Sequence, residues 1–290
     1  MIGMSFPCPR LGGNQGGPTF TGILDQLGTA AVGAWSVSRR LTVNYEGPLI
    51  RLRRSSDNAE SDFSYGSDNL LDTTAIASWV GGGSGLVRTV YGQAGAAGDL
   101  TQTTAGSQPL YSASLIGGKP GFSIADANDW VVSAAAELDN ITAAGFCLHQ
   151  VWRSGASLSP QTIWKGFGAA GWKCSGNGSG NYYFVQSGAG NSKYWQRAMA
   201  TNTSYADTFD YTGGNADSAV TRRTNGSAVT NILFGSLTLP VGDDSPYNFS
   251  VGSTGAGGVA HDQSEIIIFA STLGSDLQVL NDDATAFYGL

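Results

Sequence analysis

The amino-acid sequence predicts an all-β fold, a sandwich of many short strands with a short internal helix and a C-terminal helix. Glycine accounts for 42 of the 290 residues and charged residues for only 13%, which is typical of short strands joined by tight turns. From residue 35 onward, runs with strand character recur at regular intervals with turn-forming residues between them. With 41% hydrophobic residues, a chain of this length can bury one large core. We therefore expect one main domain.

The strand assignment rests on alternation of apolar and polar residues, which is clearest near residue 50. Ile50 and Leu52 alternate with Arg51 and Arg53, the pattern of a strand with one buried and one solvated face. A Ser-Ser-Asp-Asn turn ends this run. The same criteria predict strands at 35–45, 48–54, 86–91, 121–124, 128–137, 144–153, 161–167, 181–187, 193–199, 218–223, 228–235, 247–252 and 262–270.

Two segments have helical periodicity instead. In 72–80, Asp72 is suited to cap the helix N-terminus, and in 275–287 Ser275 has the same position. Each segment has an apolar stripe that would pack on the sandwich. The stripes consist of Ile76, Trp79 and Val80 in the first segment and Leu277, Leu280, Ala284 and Phe287 in the second.

The beginning of the chain differs in composition from the rest. Residues 1–22 contain paired glycines and three prolines without hydrophobic periodicity, which favours extended or contact-dependent structure. We therefore divide the chain into a Gly/Pro-rich N-terminal attachment segment, residues 1–34, and a sandwich domain, residues 35–290. Plain disorder is the alternative for the first segment.

Several stretches resemble a known family. Residues 45–63 (YEGPLIRLRRSSDNAESDF), 86–95 (LVRTVYGQAG) and 100–102 (LTQ) are similar to the start of the catalytic domain of the family-54 α-L-arabinofuranosidases. Residues 264–270 (SEIIIFA), followed by 273–289, resemble the last long strand and terminal helix of many laminin-G-like and concanavalin A-like domains. The resemblance implies a concanavalin A-like jelly-roll β-sandwich, a fold that also occurs without enzymatic residues in bacteriophage virion proteins.

The resembled family includes retaining glycosidases, which need two carboxylates about 5–5.5 Å apart. The family's acid/base aspartate lies in a turn before the last long strand, where this chain has Thr254. Its nucleophile is a glutamate in the middle strands, whereas residues 175–206 here contain no acidic residue. Of its paired cysteines, only Cys174 is found nearby. We therefore expect no catalytic residues and no enzymatic activity, with a glycoside hydrolase whose catalytic groups are displaced as the alternative.

Aromatic residues give the one positive indication of ligand binding. Six of them fall within 32 residues, flanked by Gly and Asn, and sugar rings stack on exposed aromatic faces. We predict that Trp172, Tyr194 and Trp195 contact a glycan. Packing in the core or at a subunit interface is the alternative. The six residues are Trp164, Trp172, Tyr182, Tyr183, Tyr194 and Trp195.

Charge and hydropathy exclude several classes of partner. A formal net charge of −7 disfavours nucleic acid, whose binding depends on Lys and Arg. No run approaches the ~20 apolar residues of a membrane span, and the N-terminus lacks the pattern of a secretory signal.

Cys147 lies in an apolar run and is expected to pack in the core rather than to form a disulfide with Cys174. Cys8, between two prolines, is expected to be exposed.

Metal and cofactor signals are sparse. His149 and His261 are the only histidines, too few for a His-rich zinc site, and His149 in its apolar run is expected in the core or at an interface. The sequence implies no cofactor. The acidic residues that could contribute to a calcium site are Asp243 and Asp244, Asp282 and Asp283, and Asp126 and Asp129.

Together these observations predict a non-catalytic bacteriophage virion protein, a capsid decoration or tail component with a lectin-like sandwich. Residues 1–34 would contact capsid or tail proteins, the chain would form homo-oligomers, and the sandwich would contact a surface glycan weakly. The predicted location is the virion surface, after synthesis in the host cytoplasm. A bacterial lectin and an arabinofuranosidase-type hydrolase with displaced catalytic groups are the alternatives.

Overall fold

Short antiparallel strands in two layers make up most of the molecule. The computed structural model describes residues 20–125, 129–132, 136–166, 170–188, 191–237, 242–252 and 260–290. The strands are β1 (Gly33–Ser36), β2 (Ile50–Arg54), β3 (Glu60–Phe63), β4 (Gly85–Val90), β5 (Leu100–Thr101), β6 (Leu110–Ile116), β7 (Lys119–Ile124), β8 (Asp129–Val132), β9 (Phe146–Ser154), β10 (Gln161–Lys165), β11 (Trp172–Gly176), β12 (Asn181–Gly188), β13 (Asn191–Ala198), β14 (Ser204–Tyr211), β15 (Val220–Thr224), β16 (Ser227–Val229), β17 (Ile232–Gly235), β18 (Phe249–Gly252) and β19 (His261–Phe269). The helices are α1 (Thr73–Val80) and α2 (Asp276–Tyr288).

The first layer is built around β9 and β19, which pair antiparallel over nearly their whole length. On the far side of β9 follow β14, β15 and β16. On the far side of β19, β7 pairs with the beginning of the strand and β1 with its end. Strand β6 then pairs with β7.

The second layer has the strand order β3-β2-β4-β5-β8-β18-β10-β11-β12-β13-β17, with every pair antiparallel. Strand β4 also forms a bridge to β6, which joins the two layers at one edge. At the opposite edge, β17 pairs with β13. This arrangement confirms the predicted all-β sandwich.

Large aromatic side chains fill the space between the layers. Phe146 of β9 lies with its ring centroid 4.9 Å from that of Trp172 on β11 and 5.6 Å from that of Phe184 on β12. All three side chains are fully buried. Because successive strand residues point to opposite faces, Cys147 and Val151 of β9 face α2 on the outside of the first layer instead.

The two predicted helices are present, with two corrections. The carboxylate of Asp72 accepts a hydrogen bond from the Ala75 N–H at 2.9 Å, so it caps α1 as predicted. Ser275 makes no such bond at α2, because its own backbone is already helical. In α2, Phe287 is only half-buried, and Tyr288 takes the enclosed aromatic position. Neither described helix has the length and apolar character needed to cross a membrane.

Residues 20–34 belong to the sandwich, which corrects the predicted boundary at residue 34. Ile23 is 3% exposed and packs in the cluster beneath α2. Gly33 and Ala34 form the start of β1 and pair with Ile268 and Ile267. Residues 1–19 of the predicted attachment segment lie outside the described residues.

Cys147 and Cys174 are buried free thiols, as predicted for Cys147. They cannot meet because Cys147 lies in the cluster under α2, whereas Cys174 faces the space between the layers. Cys8 lies outside the described residues.

Candidate active site

The three aromatic residues predicted to contact a glycan do not share a surface. Trp172 of β11 and Trp195 of β13 are fully buried between the layers. Their ring centroids lie 4.9 Å from Phe146 and 5.7 Å from Phe184, respectively. Neither indole has a face open to a sugar, which corrects the prediction for these two residues. Tyr194 points to the opposite, outer side of the second layer and is half-buried.

The middle strands contain no carboxylate at the position of the resembled family's nucleophile, as the sequence indicated. Strands β12 and β13 lie within the acid-free stretch 175–206. Thr254 lies outside the described residues. The first acidic residue after the stretch is Asp207, on β14.

Asp207 lies inside the sandwich and is 1% exposed. Arg197 reaches it from the opposite layer, with 2.8 Å between Nε and Oδ1. The indole of Trp152 and the hydroxyl of Thr224 also donate to it, at 2.9 Å and 2.6 Å. Burial by itself would raise the pKa of Asp207, but the charge and hydrogen bonds of Arg197 hold that pKa below its usual value. Asp207 therefore joins the two layers, and both of its oxygens are already occupied by these donors.

Glu265 of β19 is a second enclosed carboxylate, beneath α2. Arg39 donates to both of its oxygens at 2.9 Å and also pairs with Asp283 of α2 at 2.6 Å. Nε2 of His149 lies 3.6 Å from Glu265 Oε1, and Nδ1 lies 2.7 Å from the Thr208 hydroxyl. Burial opposes ionisation, yet Arg39 holds the pKa of Glu265 well below its usual range. This cluster fixes α2 to the first layer and places His149 in the core, as predicted.

A third group of acidic residues lies at the end of β10. Lys165, the last residue of that strand, is 2% exposed, and its ammonium group donates to Asp139 Oδ1 at 2.6 Å. It also donates to the backbone carbonyls of Tyr247 at 2.6 Å and of Asp244 at 3.2 Å. Oδ1 of Asp244 lies 3.8 Å from the same nitrogen. Two carboxylates therefore face one ammonium group.

Asn140 holds the loops that carry these carboxylates. Its N–H donates to Asp244 Oδ1 at 2.6 Å, and its side-chain amide donates to Asp243 Oδ1 at 2.8 Å. Its amide oxygen accepts the Asp244 N–H at 3.0 Å. This geometry uses a left-handed backbone, with φ of 56°, which asparagine adopts more readily than most residues. The segments around residues 140 and 244 are thus fixed to each other and to β10.

The two carboxylates have different environments. Asp244 is 1% exposed, and burial raises its pKa despite the opposing effects of Asn140 and Lys165. The side chain of Asp139 is 26% exposed and forms the direct ion pair with Lys165. The two carboxylates lie 2.6 Å and 3.8 Å from one nitrogen, so they are close enough to be considered as a pair of the kind that retaining glycosidases use. A buried acid whose pKa is raised, next to a second carboxylate in a more exposed and ion-paired position, also matches the contrast of environments in such pairs.

Lys165 supplies the cation at this cluster. The carboxylate of Asp243 is occupied by hydrogen bonds from Asn140 and from the Ser245 hydroxyl. Across the described residues, no three His, Cys, Asp or Glu side chains converge in an arrangement that could hold a metal. Of the other residues considered for calcium, Asp283 pairs with Arg39, and Asp126 lies outside the described ranges.

A search of the sequence for acid pairs or for aromatic residues in loops does not identify Lys165 or Asp139 as site residues. A signal is nevertheless present in β10, where Lys165 follows Ile163 by two residues and so points to the same, inner face. A lysine at an inward position requires buried polar partners. Asp139 has no comparable signal, because it lies in an irregular segment between two short 3₁₀ turns.

Comparisons with known proteins find similarity to α-L-arabinofuranosidases. The family model for the catalytic domain of α-L-arabinofuranosidase B matches residues 21–155. A probable α-L-arabinofuranosidase B of Aspergillus fumigatus is 28% identical over 213 residues, which are 73% of this chain and 35% of the relative. An α-L-arabinofuranosidase of Hypocrea jecorina is 28% identical over 217 residues, 75% of this chain and 36% of the relative. The chain thus spans little more than a third of the length of these relatives.

Solved structures agree on the fold. A family-54 α-L-arabinofuranosidase soaked with a cyclic sulfate inhibitor has a TM-score of 0.65 and 13% identity, and the match covers 91% of this chain and 64% of that one. An arabinofuranosidase complexed with arabinofuranosyl-α-1,2-xylobiose has a TM-score of 0.59 and 14% identity, with the same coverage. The chain therefore resembles the family-54 catalytic domain, as the sequence motifs indicated.

The prediction of a non-catalytic virion protein is wrong. The matching family model describes a catalytic domain, and the relatives named above are glycoside hydrolases. The prediction rests on Thr254 and on the acid-free stretch 175–206, which concern only the positions that the resembled family uses for its carboxylates. The partner and localisation predictions depended on the virion interpretation, and no finding tests them.

Proposed function

We propose that this protein is a glycoside hydrolase of the arabinofuranosidase type, whose catalytic carboxylates are displaced from the positions used in the resembled family. The observation that carries the proposal is the match of the catalytic-domain model to residues 21–155, together with relatives of that activity matched over about three quarters of the chain. The substrate class is a terminal α-L-arabinofuranosyl unit on a polymer or aryl group.

The acidic pair proposed for the chemistry is Asp139 and Asp244. An oxygen of Asp139 would attack the anomeric carbon while the proton of Asp244 passes to the leaving oxygen as the glycosidic bond breaks. A water molecule would then attack the same carbon, give its proton to Asp244 and release Asp139. The burial that raises the pKa of Asp244 suits it to the acid role, and the ion pair with Lys165 holds Asp139 in place.

The test is hydrolysis of an aryl α-L-arabinofuranoside by the full chain and by Asp139→Asn and Asp244→Asn. We expect turnover by the unmodified chain and a loss of about 10²-fold or more in each variant. Asp217→Asn is the matched control, because Asp217 also pairs with a lysine, Lys193, but has a side chain that is 73% exposed. Absence of turnover in the unmodified chain would contradict the function. Full activity in both variants would contradict only the assignment of the pair.

A further inference from the structure

We propose that β17, at one edge of the second layer, pairs antiparallel with the β17 of a second copy of this chain, so that the second layers of two molecules join into one sheet. This inference goes beyond the proposed function and does not depend on it. It gives a contact surface to the predicted homo-oligomer.

Strand β17 exposes an unbroken run of large apolar side chains. Ile232 is 52% exposed, Leu233 39% and Phe234 66%. Single exposed apolar residues are normal on a protein surface, but three in succession on one strand are a mark of an interaction site. The other exposed large hydrophobic residues in the described ranges lie far apart in the chain: Val43, Leu110 and Val279.

The outer edge of β17 is open among the described residues. The strand pairs with β13 on one side, where Tyr194 lies opposite Phe234, and no described strand pairs with its other side. In an antiparallel sheet, alternate residues of an edge strand direct their N–H and C=O groups away from the one neighbouring strand. Another extended strand, about 4.8 Å away, satisfies such groups with hydrogen bonds. The edge therefore offers unpaired backbone groups beside its apolar side chains.

The two edges of the second layer differ in charge. At the opposite edge, β3 carries Glu60 and Asp62, and Asp62 forms an ion pair with Arg51 at 2.7 Å. Charged side chains on an edge strand disfavour its pairing with another molecule. Residues 224–242, which include β17, contain no Lys, Arg, Asp or Glu. The β17 edge thus lacks the protection that the β3 edge has.

The apolar run is complementary to itself, which is why the partner is a second copy of the chain. When two copies of β17 pair about a two-fold axis at Leu233, the two Leu233 residues lie opposite each other. Each Ile232 then lies opposite the Phe234 of the second copy, and a β-branched residue opposite an aromatic one is a favourable cross-strand pair. The ring of Tyr194, 5.6 Å away, supports the Phe234 ring in its own sheet.

The charge of the molecule also favours contact at this edge. The chain has a formal net charge of −7, so two copies repel each other where acidic residues meet. Strands β12, β13 and β17 contain no acidic residue, since none occurs in 175–206 or 218–242. Asp217, which reaches β13, is paired with Lys193 at 2.5 Å. Pairing through β17 therefore joins two negatively charged molecules along strands that carry no negative charge.

The proposed interface lies away from the proposed catalytic pair. Strand β10, which carries Lys165, is separated from β17 by β11, β12 and β13. Four strand spacings of about 4.8 Å place β10 and β17 roughly 19 Å apart. Pairing at β17 should leave the catalytic pair open, so association and hydrolysis can be measured separately.

The test is sedimentation equilibrium of the full chain and of Phe234→Lys between about 1 μM and 1 mM, the range in which weak protein interfaces dissociate. We expect a monomer–dimer equilibrium for the unmodified chain and a Kd about tenfold or more higher in Phe234→Lys, which places like charges on the two pairing strands. Leu110→Lys is the matched control, because Leu110 is also an exposed strand residue, at 48%, but lies on β6 of the first layer. Turnover of the aryl substrate should be the same in all three proteins.

Cysteine cross-linking tests the register of the two strands. In a Cys8→Ser background, Leu233→Cys places two thiols opposite each other at the two-fold axis, with Cβ atoms about 4.5–5.5 Å apart, close to the geometry of a disulfide. We expect mild oxidation of the native protein to give a covalent dimer for Leu233→Cys and none for Leu110→Cys.

Several results would overturn the pairing of β17. These are a monomer over the whole concentration range, a Kd that Phe234→Lys leaves unchanged or raises no more than Leu110→Lys does, and cross-linking of Leu110→Cys as readily as of Leu233→Cys. Assemblies that grow beyond the dimer would also overturn it, because pairing about a two-fold axis is closed. A chain that dimerises through β17 but hydrolyses no arabinofuranoside would contradict the proposed function alone.

Discussion

The ammonium group of Lys165 donates to the carboxylate of Asp139 across 2.6 Å, although the lysine side chain is only 2% exposed. Its other two hydrogen bonds go to the carbonyls of Tyr247 and Asp244, so all three of its N–H donors are used. A buried ammonium group is costly unless it is paired and hydrogen-bonded in this way. Lys165 thereby holds the end of β10 beside the two segments that carry Asp139 and Asp244, the proposed catalytic pair.

Removal of the Lys165 charge should destabilise the fold. Lys165→Met keeps much of the side-chain length but leaves the Asp139 carboxylate and two backbone carbonyls without their donor, and we expect a loss of about 3–5 kcal/mol in the free energy of unfolding. Urea denaturation of the variant and of the unmodified chain measures this loss. Arg51→Met is the control, because the side chains of Arg51 and its partner Asp62 are each 40% exposed and the substitution should cost much less. Equal losses in the two variants would show that the Lys165 cluster has no special structural role.

Acid should weaken the contact between α2 and the first layer. The pKa of Glu265 is lowered from its ordinary 4.5 in the folded state, so its ionised form contributes stability that is present above about pH 4.5 and is lost as the pH falls toward the folded-state pKa. Glu265→Gln removes this contribution. We expect lower stability at pH 7 and a flatter dependence between pH 5 and 3 than in the unmodified chain. Urea midpoints across that range check this, with the exposed Glu46→Gln as control. Parallel pH profiles for the unmodified chain and Glu265→Gln would contradict the interpretation.

The C-terminal helix should be integral to the fold. Leu280 is fully buried against the first layer, so Leu280→Ala should cost about 2–5 kcal/mol. The neighbouring Val279 is 41% exposed, and Val279→Ala should change stability by roughly 0.5 kcal/mol or less. Thermal denaturation of both variants compares them directly. A melting temperature for Leu280→Ala equal to that of Val279→Ala would show that the packing of α2 contributes little to the stability of the fold.

The two described cysteines should be inert in the folded protein. Burial raises the pKa of Cys174 to about 12 and raises that of Cys147 strongly, so neither forms the reactive thiolate at neutral pH. In a Cys8→Ser background, a thiol reagent such as DTNB should modify neither residue until denaturant is added, and both afterwards. Rapid modification of one thiol in native buffer would show that its strand opens.

The sequence predicts the sandwich and both helices, because alternation and helical stripes are local patterns. It misses several strands, including β3, β6 and β11, and the longest one missed is β14, Ser204–Tyr211, where Asp207 and Asp210 interrupt the apolar pattern. The structure accommodates both charges internally: Asp207 binds Arg197, and Asp210 accepts the N–H groups of Leu273 and Gly274. A strand with partners on both faces has no solvated side, so alternation cannot reveal it.

The site was harder to predict than the fold. Trp172 follows a glycine and precedes a lysine, which suggests a loop, yet it begins β11 and fills the core. Asp139 and Asp244 are about a hundred residues apart in sequence and meet only because Lys165 and Asn140 hold both loops. Such a pair depends on tertiary structure, and a linear search for acid spacing cannot find it.

The most direct test of the central claim is chemical rescue of Asp139→Ala by azide on an activated aryl α-L-arabinofuranoside. If Asp139 is the nucleophile, the variant should be nearly inactive, and azide should restore turnover and give an arabinofuranosyl azide of inverted anomeric configuration, whereas Asp244→Ala with azide should give the retained one. An Asp139→Ala variant as active as the unmodified chain, or one that azide cannot rescue, would contradict the account.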